Sequence, residues 1–279
     1  MRWKNRRHSS NVEDRRGQGV SKGAAIGGGS IIMALVAIFL FGQDPGQVIQ
    51  GLLQPSGEQS ADSYQPNPQE QQVYEFMEVV MADTEDTWGN VFQQAGYQYK
   101  EPKLVVYSGA TQTACGTGQA ASGPFYCPGD QKVYIDLSFL NELHNMGAQG
   151  DFAVAYVLAH EVGHHIQTIT GTSDKVRQAQ QRASKVQSNA IQVRMELQAD
   201  CYAGIWAKHT QQRTQFLERG DLEEAMNAAA AVGDDQIMRK AGQTPRREAF
   251  THGSSKERME WFNRGLQSGD LNACDTGIN

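Results

Sequence analysis

Apolar positions recur along this chain with three different spacings. Between Lys22 and Asp44 no residue is charged, and Ile31 to Phe41 is apolar without interruption. From Glu70 the spacing becomes three and four residues, through Val73, Phe76, Met77, Val80, Met81, Trp88, Val91 and Phe92. This predicts an amphipathic helix, with a break near Asp83. Lys103 to Tyr107 and Lys132 to Leu137 are short β-branched runs set off by Pro102, Gly109 and Pro128-Gly129-Asp130, and are predicted as strands. Ser138 to Met146 predicts a short helix. Phe152 to Ile169 predicts a long buried one, with Asp151 as its N-cap and Gly171 marking its end. Further helical periods cover Ser173 to Arg182, Ser184 to about Thr210, Leu222 to Ala241 and Ser255 to Leu266. The expected fold class is therefore α+β, mostly helical with a small sheet.

Charge adds a topology to this pattern. Seven basic residues against two acidic ones in the first 22 leave +5, so the rest of a chain of formal charge −6 carries −11. A basic cluster directly before an apolar stretch reads as a topology signal and not as a nucleic-acid arm. The expected organisation is a basic cytoplasmic tail over 1–22, a transmembrane anchor in the lipid bilayer over 23–42, a Gln/Pro/Gly-rich linker over 43–68 and one domain over 69–279, facing the periplasm or exterior. No small-x-small cleavage pattern follows Phe41, which argues against a removed signal peptide. The four cysteines, Cys115, Cys127, Cys201 and Cys274, all follow the apolar stretch and lack metal-binding spacing. Disulfides suit such a compartment. Of the three possible pairings, Cys115 with Cys127 and Cys201 with Cys274 are preferred, the first closing a Gly/Ser/Pro-rich loop and the second tying the chain end to a helix.

The chemistry sits in the long buried helix. His160-Glu161-Val162-Gly163-His164 reads H-E-x-x-H, which puts two imidazoles one turn apart on one face, where both can grip a single ion. Two neutral histidines suit Zn2+. Glu161 is rotated off the ligand pair and is placed to act on a water at the metal as general base. A catalytic zinc takes three protein ligands and leaves a position open. Glu196, in Glu196-Leu197-Gln198-Ala199-Asp200, is the candidate third, and Asp200 one turn later is the candidate orienter of a ligand imidazole. His144, His165 and His209 are expected to stay off the metal. The Gln-rich stretch from Gln178 to Gln192 reads as a solvated helical excursion or an entrance lid.

H-E-x-x-H followed by E-x-x-A-D resembles the glutamate-ligand zincins, the thermolysin-like class. The stretches His160 to His165, Glu196 to Tyr202 and Thr251-His252-Gly253-Ser254-Ser255 resemble the bacterial putative neutral zinc metallopeptidase family over nearly the whole chain. The resemblance implies an α+β fold of the zincin type, His160, His164 and Glu196 as zinc ligands, Glu161 as base and Asp200 behind the ligands. The segment His252 to Met259 is similar to a His-Pro segment ending in Arg in membrane-bound H-E-x-x-H peptidases, with Gly253 where proline is expected. His252 or Arg258 is thereby a candidate to stabilise a developing oxyanion.

The expected activity is membrane-anchored, zinc-dependent hydrolysis of polypeptides, with no nucleic-acid partner. The alternatives are a zinc amidase acting on cell-wall peptides, through the same residues, and an assembly or chaperone-type membrane protein with a closed zinc site that would work without Glu161. A strand near the metal helix is expected to offer an edge to an extended peptide.

Overall fold

The computed structural model describes residues 1–18, 64–119 and 123–278. The 27-residue helix α1 (Pro68–Gln94) starts at an Asn67–Glu70 capping box with Pro68 in its first turn. The expected break near Asp83 is absent. Asp83 is instead buried and ion-paired to Arg6 and Arg213, so the polar interruption in the pattern is satisfied from outside and the helix continues.

A four-stranded sheet has the order β1 (Val12–Arg15), β2 (Lys103–Tyr107), β6 (Lys132–Asp136), β5 (Phe125–Cys127). The first three strands are parallel, with Val12 opposite Leu104 and Leu104 opposite Val133, and β5 runs antiparallel to β6. β2 and β6 are buried throughout their central residues, as expected of interior strands. The free edge nearest the metal helix therefore belongs to β5. A hairpin of β3 (Ala110–Thr113) and β4 (Gly116–Gln119) stands apart, and the Cys115–Cys127 disulfide fastens its turn to the end of β5.

The helices follow: α2 (Phe139–Asn145), α3 (Asp151–Ile169), α4 (Thr172–Gln181), α5 (Lys185–Thr214), α6 (Asp221–Ala231), α7 (Asp234–Lys240) and α8 (Ser255–Ser268). Asp151 is the first residue of α3, and Gly150 occupies its N-cap. Helical periodicity over Leu222 to Ala241 resolves into α6 and α7, broken at Val232 and Gly233. At Gly233 an added Cβ would collide with the backbone of Ser255, so this break is where α8 begins to dock.

Helix α3 forms the centre of the core and packs against α5, α6, α1 and the sheet. Phe152, Trp206 and Phe216 form one buried aromatic cluster at its start. Two close helix crossings matter for the site. A Cβ on Gly163 would stand 3.0 Å from the Ala199 carbonyl oxygen, so a glycine inside H-E-x-x-H lets α5 lie directly against α3. Gly204 and Gly265 do the same for α5 and α8, where added Cβ atoms would overlap the backbone of Phe262 and Cys201.

The first 18 residues correct an expectation. They are part of the domain, and the reason lies in the charges that suggested a detached tail. Arg6 pairs with Asp83, Arg7 with Glu85 and Asp86, and the Met1 nitrogen with Asp151 and Asp221. β1 is then held by Glu13, which bridges Arg15 and Lys132. Gly17 packs on Tyr64, so the ends of these two described segments lie together on the domain. The stretch expected to be the anchor, 23–42, and most of the expected linker lie outside the described residues. Among the described residues no helix is long and apolar enough to cross a membrane.

Candidate metal centre

Helix α3 presents His160 and His164 one turn apart, with ring centroids 4.8 Å apart and planes nearly perpendicular. Through the Gly163 crossing, α5 brings Glu196 onto the same face. Its Oε2 lies 3.3 Å from Nε2 of His160 and 3.6 Å from Nε2 of His164. The three ligand atoms lie within 4.8 Å of one another, and the residues are buried or nearly so. Around a tetrahedral zinc, ligand atoms bound at roughly 2.0–2.1 Å stand about 3.3 Å from each other. The spacing and the donor set, two imidazole nitrogens and one carboxylate oxygen, fit that ion.

The tautomers fit as well. Asp200 can only accept at its carboxylate, and Nδ1 of His160 is 2.8 Å from its Oδ1. Nδ1 of His160 therefore carries a proton, and Nε2 is the nitrogen that faces Glu196. Asp200 is fully buried, and it also accepts from Tyr156 Oη at 2.5 Å and from Nε and Nη2 of Arg258, each at 2.9 Å. Glu196 is oriented by Gln192, whose amide donates to Oε1 at 2.9 Å and leaves Oε2 toward the histidines. His164 is oriented by Gln167, whose Oε1 is 2.8 Å from Nδ1. These side chains also polarise one another. Burial by itself would lower the His160 pKa, but the carboxylates of Asp200 and Glu196 outweigh it and raise it to about 9. Burial opposes charge on Glu196 too, yet the two imidazoles hold its carboxyl well below the usual range. The His160 imidazole is thus held protonated against these carboxylates, and a bound cation would displace the Nε2 proton that faces Glu196.

A cleft of about 810 Å³ opens over these residues. Glu161 lines it beside the ligands, and its carboxylate is committed to no hydrogen bond among the described residues. One wall is apolar, with Phe139, Met146, Val157 and Ile237, and Phe125 and Tyr126 of the edge strand β5 form another. Gln180 and Gln192 also line the cleft and are hydrogen-bonded at 3.1 Å, so the Gln-rich stretch ends as cleft wall and not as a purely solvated excursion.

The candidate oxyanion donors separate. Arg258 is buried and bidentate on Asp200, so it holds the carboxylate that orients His160. His252 stands exposed at the cleft rim, with Nδ1 3.1 Å from Asp234. Asp234 Oδ2 also accepts the backbone N–H groups of Thr251, His252 and Gly253, which fixes the loop. Partial desolvation at the cleft rim would lower the His252 pKa, but the hydrogen bond to Asp234 and the charge of Glu196 raise it. His165 points away from the metal, bonded through Nε2 to the Lys100 carbonyl and through Nδ1 to the Tyr126 hydroxyl. Both disulfides pair as expected, Cys115 with Cys127 and Cys201 with Cys274, and no cysteine is free.

Sequence reasoning missed Tyr156, Gln167 and Gln192. Each lies three or four residues from a ligand on the ligand's own helix, and that spacing is the signal that could have found them. Asp234 carried no comparable signal.

The chain is similar to known proteins along its whole length. The family model described as putative neutral zinc metallopeptidase matches residues 1–277. The uncharacterized protein YpfJ of Escherichia coli K12 is 48% identical over 289 aligned positions, covering 99% of this chain and 98% of that one. The uncharacterized proteins Mb2605 of Mycobacterium bovis and Rv2575 of Mycobacterium tuberculosis H37Rv are each 41% identical over 189 positions, covering 64% of this chain and 63% of theirs. No solved structure matches.

Proposed function

The chain belongs to the putative neutral zinc metallopeptidase family, and from that premise we propose that it hydrolyses peptide bonds in polypeptides, with zinc held by His160, His164 and Glu196. The observation that carries this reading is the convergence of those three ligand atoms beneath an open cleft that Glu161 lines. Zinc, when bound, supplies a Lewis acid that polarises a carbonyl and makes a water easier to deprotonate. Glu161 takes the proton of the attacking water and returns it to the leaving amine, so the same carboxylate serves as base and then as acid. Asp200 keeps the His160 proton on Nδ1, and Arg258 and Tyr156 keep Asp200 ionised and in place. His252, steadied by Asp234, stands at the rim where negative charge develops on the carbonyl oxygen. The free edge of β5 gives an extended polypeptide a strand to pair with.

We place the domain outside the cytoplasm, since two disulfides persist in oxidising compartments. The apolar stretch 23–42 is the proposed membrane attachment. The contact of Gly17 with Tyr64 supports a reading in which both flanks of that stretch lie on the domain's side of the membrane.

The test is zinc content by mass spectrometry on the full chain, with hydrolysis of an unfolded protein followed in parallel. Wild type should carry about one zinc per chain. Glu161→Gln should keep the metal and lose roughly 10²–10⁴-fold in turnover, and Glu196→Ala should lose metal. Turnover by Glu161→Gln at the wild-type rate would refute the reading, and bound zinc without cleavage of any polypeptide would favour a closed-site scaffold.

A further inference from the structure

His160 and His164 are held in different ways. Behind His160 stands an ionised carboxylate, whereas behind His164 stands a row of buried neutral amides. Gln167 is fully buried and Gln198 is 3% exposed, so neither can exchange its partners for water. The direction of the row is fixed from both sides by backbone carbonyls. The Met195 carbonyl, which can only accept, is 2.7 Å from Gln167 Nε2. The Gln167 nitrogen therefore faces Met195, and its oxygen must face Nδ1 of His164. Gln198 is fixed likewise. Its Nε2 donates to the Cys274 carbonyl at 3.2 Å, which leaves Oε1 to accept from Gln167 Nε2 at 3.0 Å.

Every donor in this row points the same way, from His164 through Gln167 and Gln198 to the carbonyl of Cys274. Cys274 is fully buried in a short 3-10 turn (Leu271–Cys274), and its disulfide returns to Cys201, one residue after Asp200. We propose that Gln167, supported by Gln198, is a positioning residue that locks His164 with its proton on Nδ1 and its Nε2 lone pair toward the metal, and that the Cys201–Cys274 bridge is the far anchor of this row. The chain end then supports metal retention although it touches no ligand. If the anchor is released, Gln198 loses its acceptor, the Gln167 amide is held by the Met195 carbonyl alone, and His164 is steadied less firmly. The inference rests on the metal reading above but not on the peptidase activity.

The experiment is zinc affinity by competition with a chromophoric chelator on the full chain, with the unfolding midpoint of each metal-free variant as control. Gln167→Met, which keeps the volume and removes the acceptor, should weaken zinc binding by roughly 10–100-fold, the usual effect of losing an outer partner of a metal ligand. Gln198→Met should weaken it by several-fold in the wild-type background and by nothing further in Gln167→Met, because its effect reaches the metal only through Gln167. Cys201→Ser with Cys274→Ser should behave as Gln198→Met does. Since Gln198→Met leaves the bridge intact, it decides the question even if the serine variant fails to fold. Wild-type affinity in Gln167→Met, or equal losses from Gln198→Met in both backgrounds, would overturn the proposal. A wild-type chain that binds no zinc would instead overturn the metal reading on which it stands.

Discussion

Arg258 and Asp200 offer the sharpest test of how the centre is held. Both are almost inaccessible, at 3% and 0% exposure, and two hydrogen bonds join them. In Arg258→Met the Asp200 carboxylate keeps the Tyr156 hydroxyl and the His160 imidazole and loses the guanidinium. Breaking a buried pair from one side costs about 3–5 kcal/mol, because a charge stays behind without compensation. Two charge-assisted hydrogen bonds at roughly 1.5–3 kcal/mol each give the same range. For a domain of this size that corresponds to a fall of roughly 6–20 °C in the unfolding midpoint. Asp200→Asn should cost a similar amount, now by stranding the guanidinium. The double variant leaves neither charge unpaired and should lie about 2–3 kcal/mol above the sum of the singles. The assay is urea unfolding at pH 7 with chelator present, so that metal linkage does not enter. Strict additivity, or a loss below about 1 kcal/mol in Arg258→Met, would refute the reasoning.

Four further outcomes are expected. Gly204→Val, which drives a branched side chain into the Phe262 backbone, should destabilise by more than the roughly 1–3 kcal/mol of ordinary overpacking and release α8; native-like thermal stability would contradict the helix crossing. Burial holds the His165 pKa down at about 4, whereas the unfolded chain takes up that proton near the ordinary histidine value of about 6.5. Stability should therefore fall by about 3 kcal/mol as pH drops from 6.5 to 4, and urea titrations should show that portion of the slope missing in His165→Phe. Arg6→Ala leaves the buried Asp83 with Arg213 alone and should loosen residues 1–18; hydrogen exchange at β1 unchanged from wild type would deny the arm its place in the fold. Because every native cysteine is bridged, single thiols at Ser10→Cys and Tyr97→Cys can be labelled selectively in intact cells, and both should react from the same side of the membrane.

Most of the local structure was legible in the sequence. H-E-x-x-H sets His160 and His164 on one helix face with Glu161 beside them by helical geometry alone, and E-x-x-A-D sets Glu196 and Asp200 one turn apart, which makes them the candidate ligands, base and orienter. The two interior strands β2 and β6, the starts of α5 and α8 and the even cysteine set were also readable, since each depends on residues close in the chain, whereas β1, β3, β4 and β5 were not read. Even Gln167 and Gln192 were within reach, one helical turn from the ligands they orient.

What the sequence could not decide was which surfaces meet. Arg258 and His252 sit in one short segment and read as equivalent candidates, yet docking of α8 on α5 through Gly204 and Gly265 buries one against Asp200 and leaves the other at the cleft rim. The basic residues at the start of the chain carried the same charge whether they faced lipid headgroups or Asp83 and Glu85. Only the tertiary structure shows that acidic partners lie on α1 and that β1 completes the sheet. Hydrophobic periodicity specifies elements because it acts within a few turns. The pairing of distant charges and the choice of sheet neighbours depend on the whole chain being folded, and no local pattern contains them.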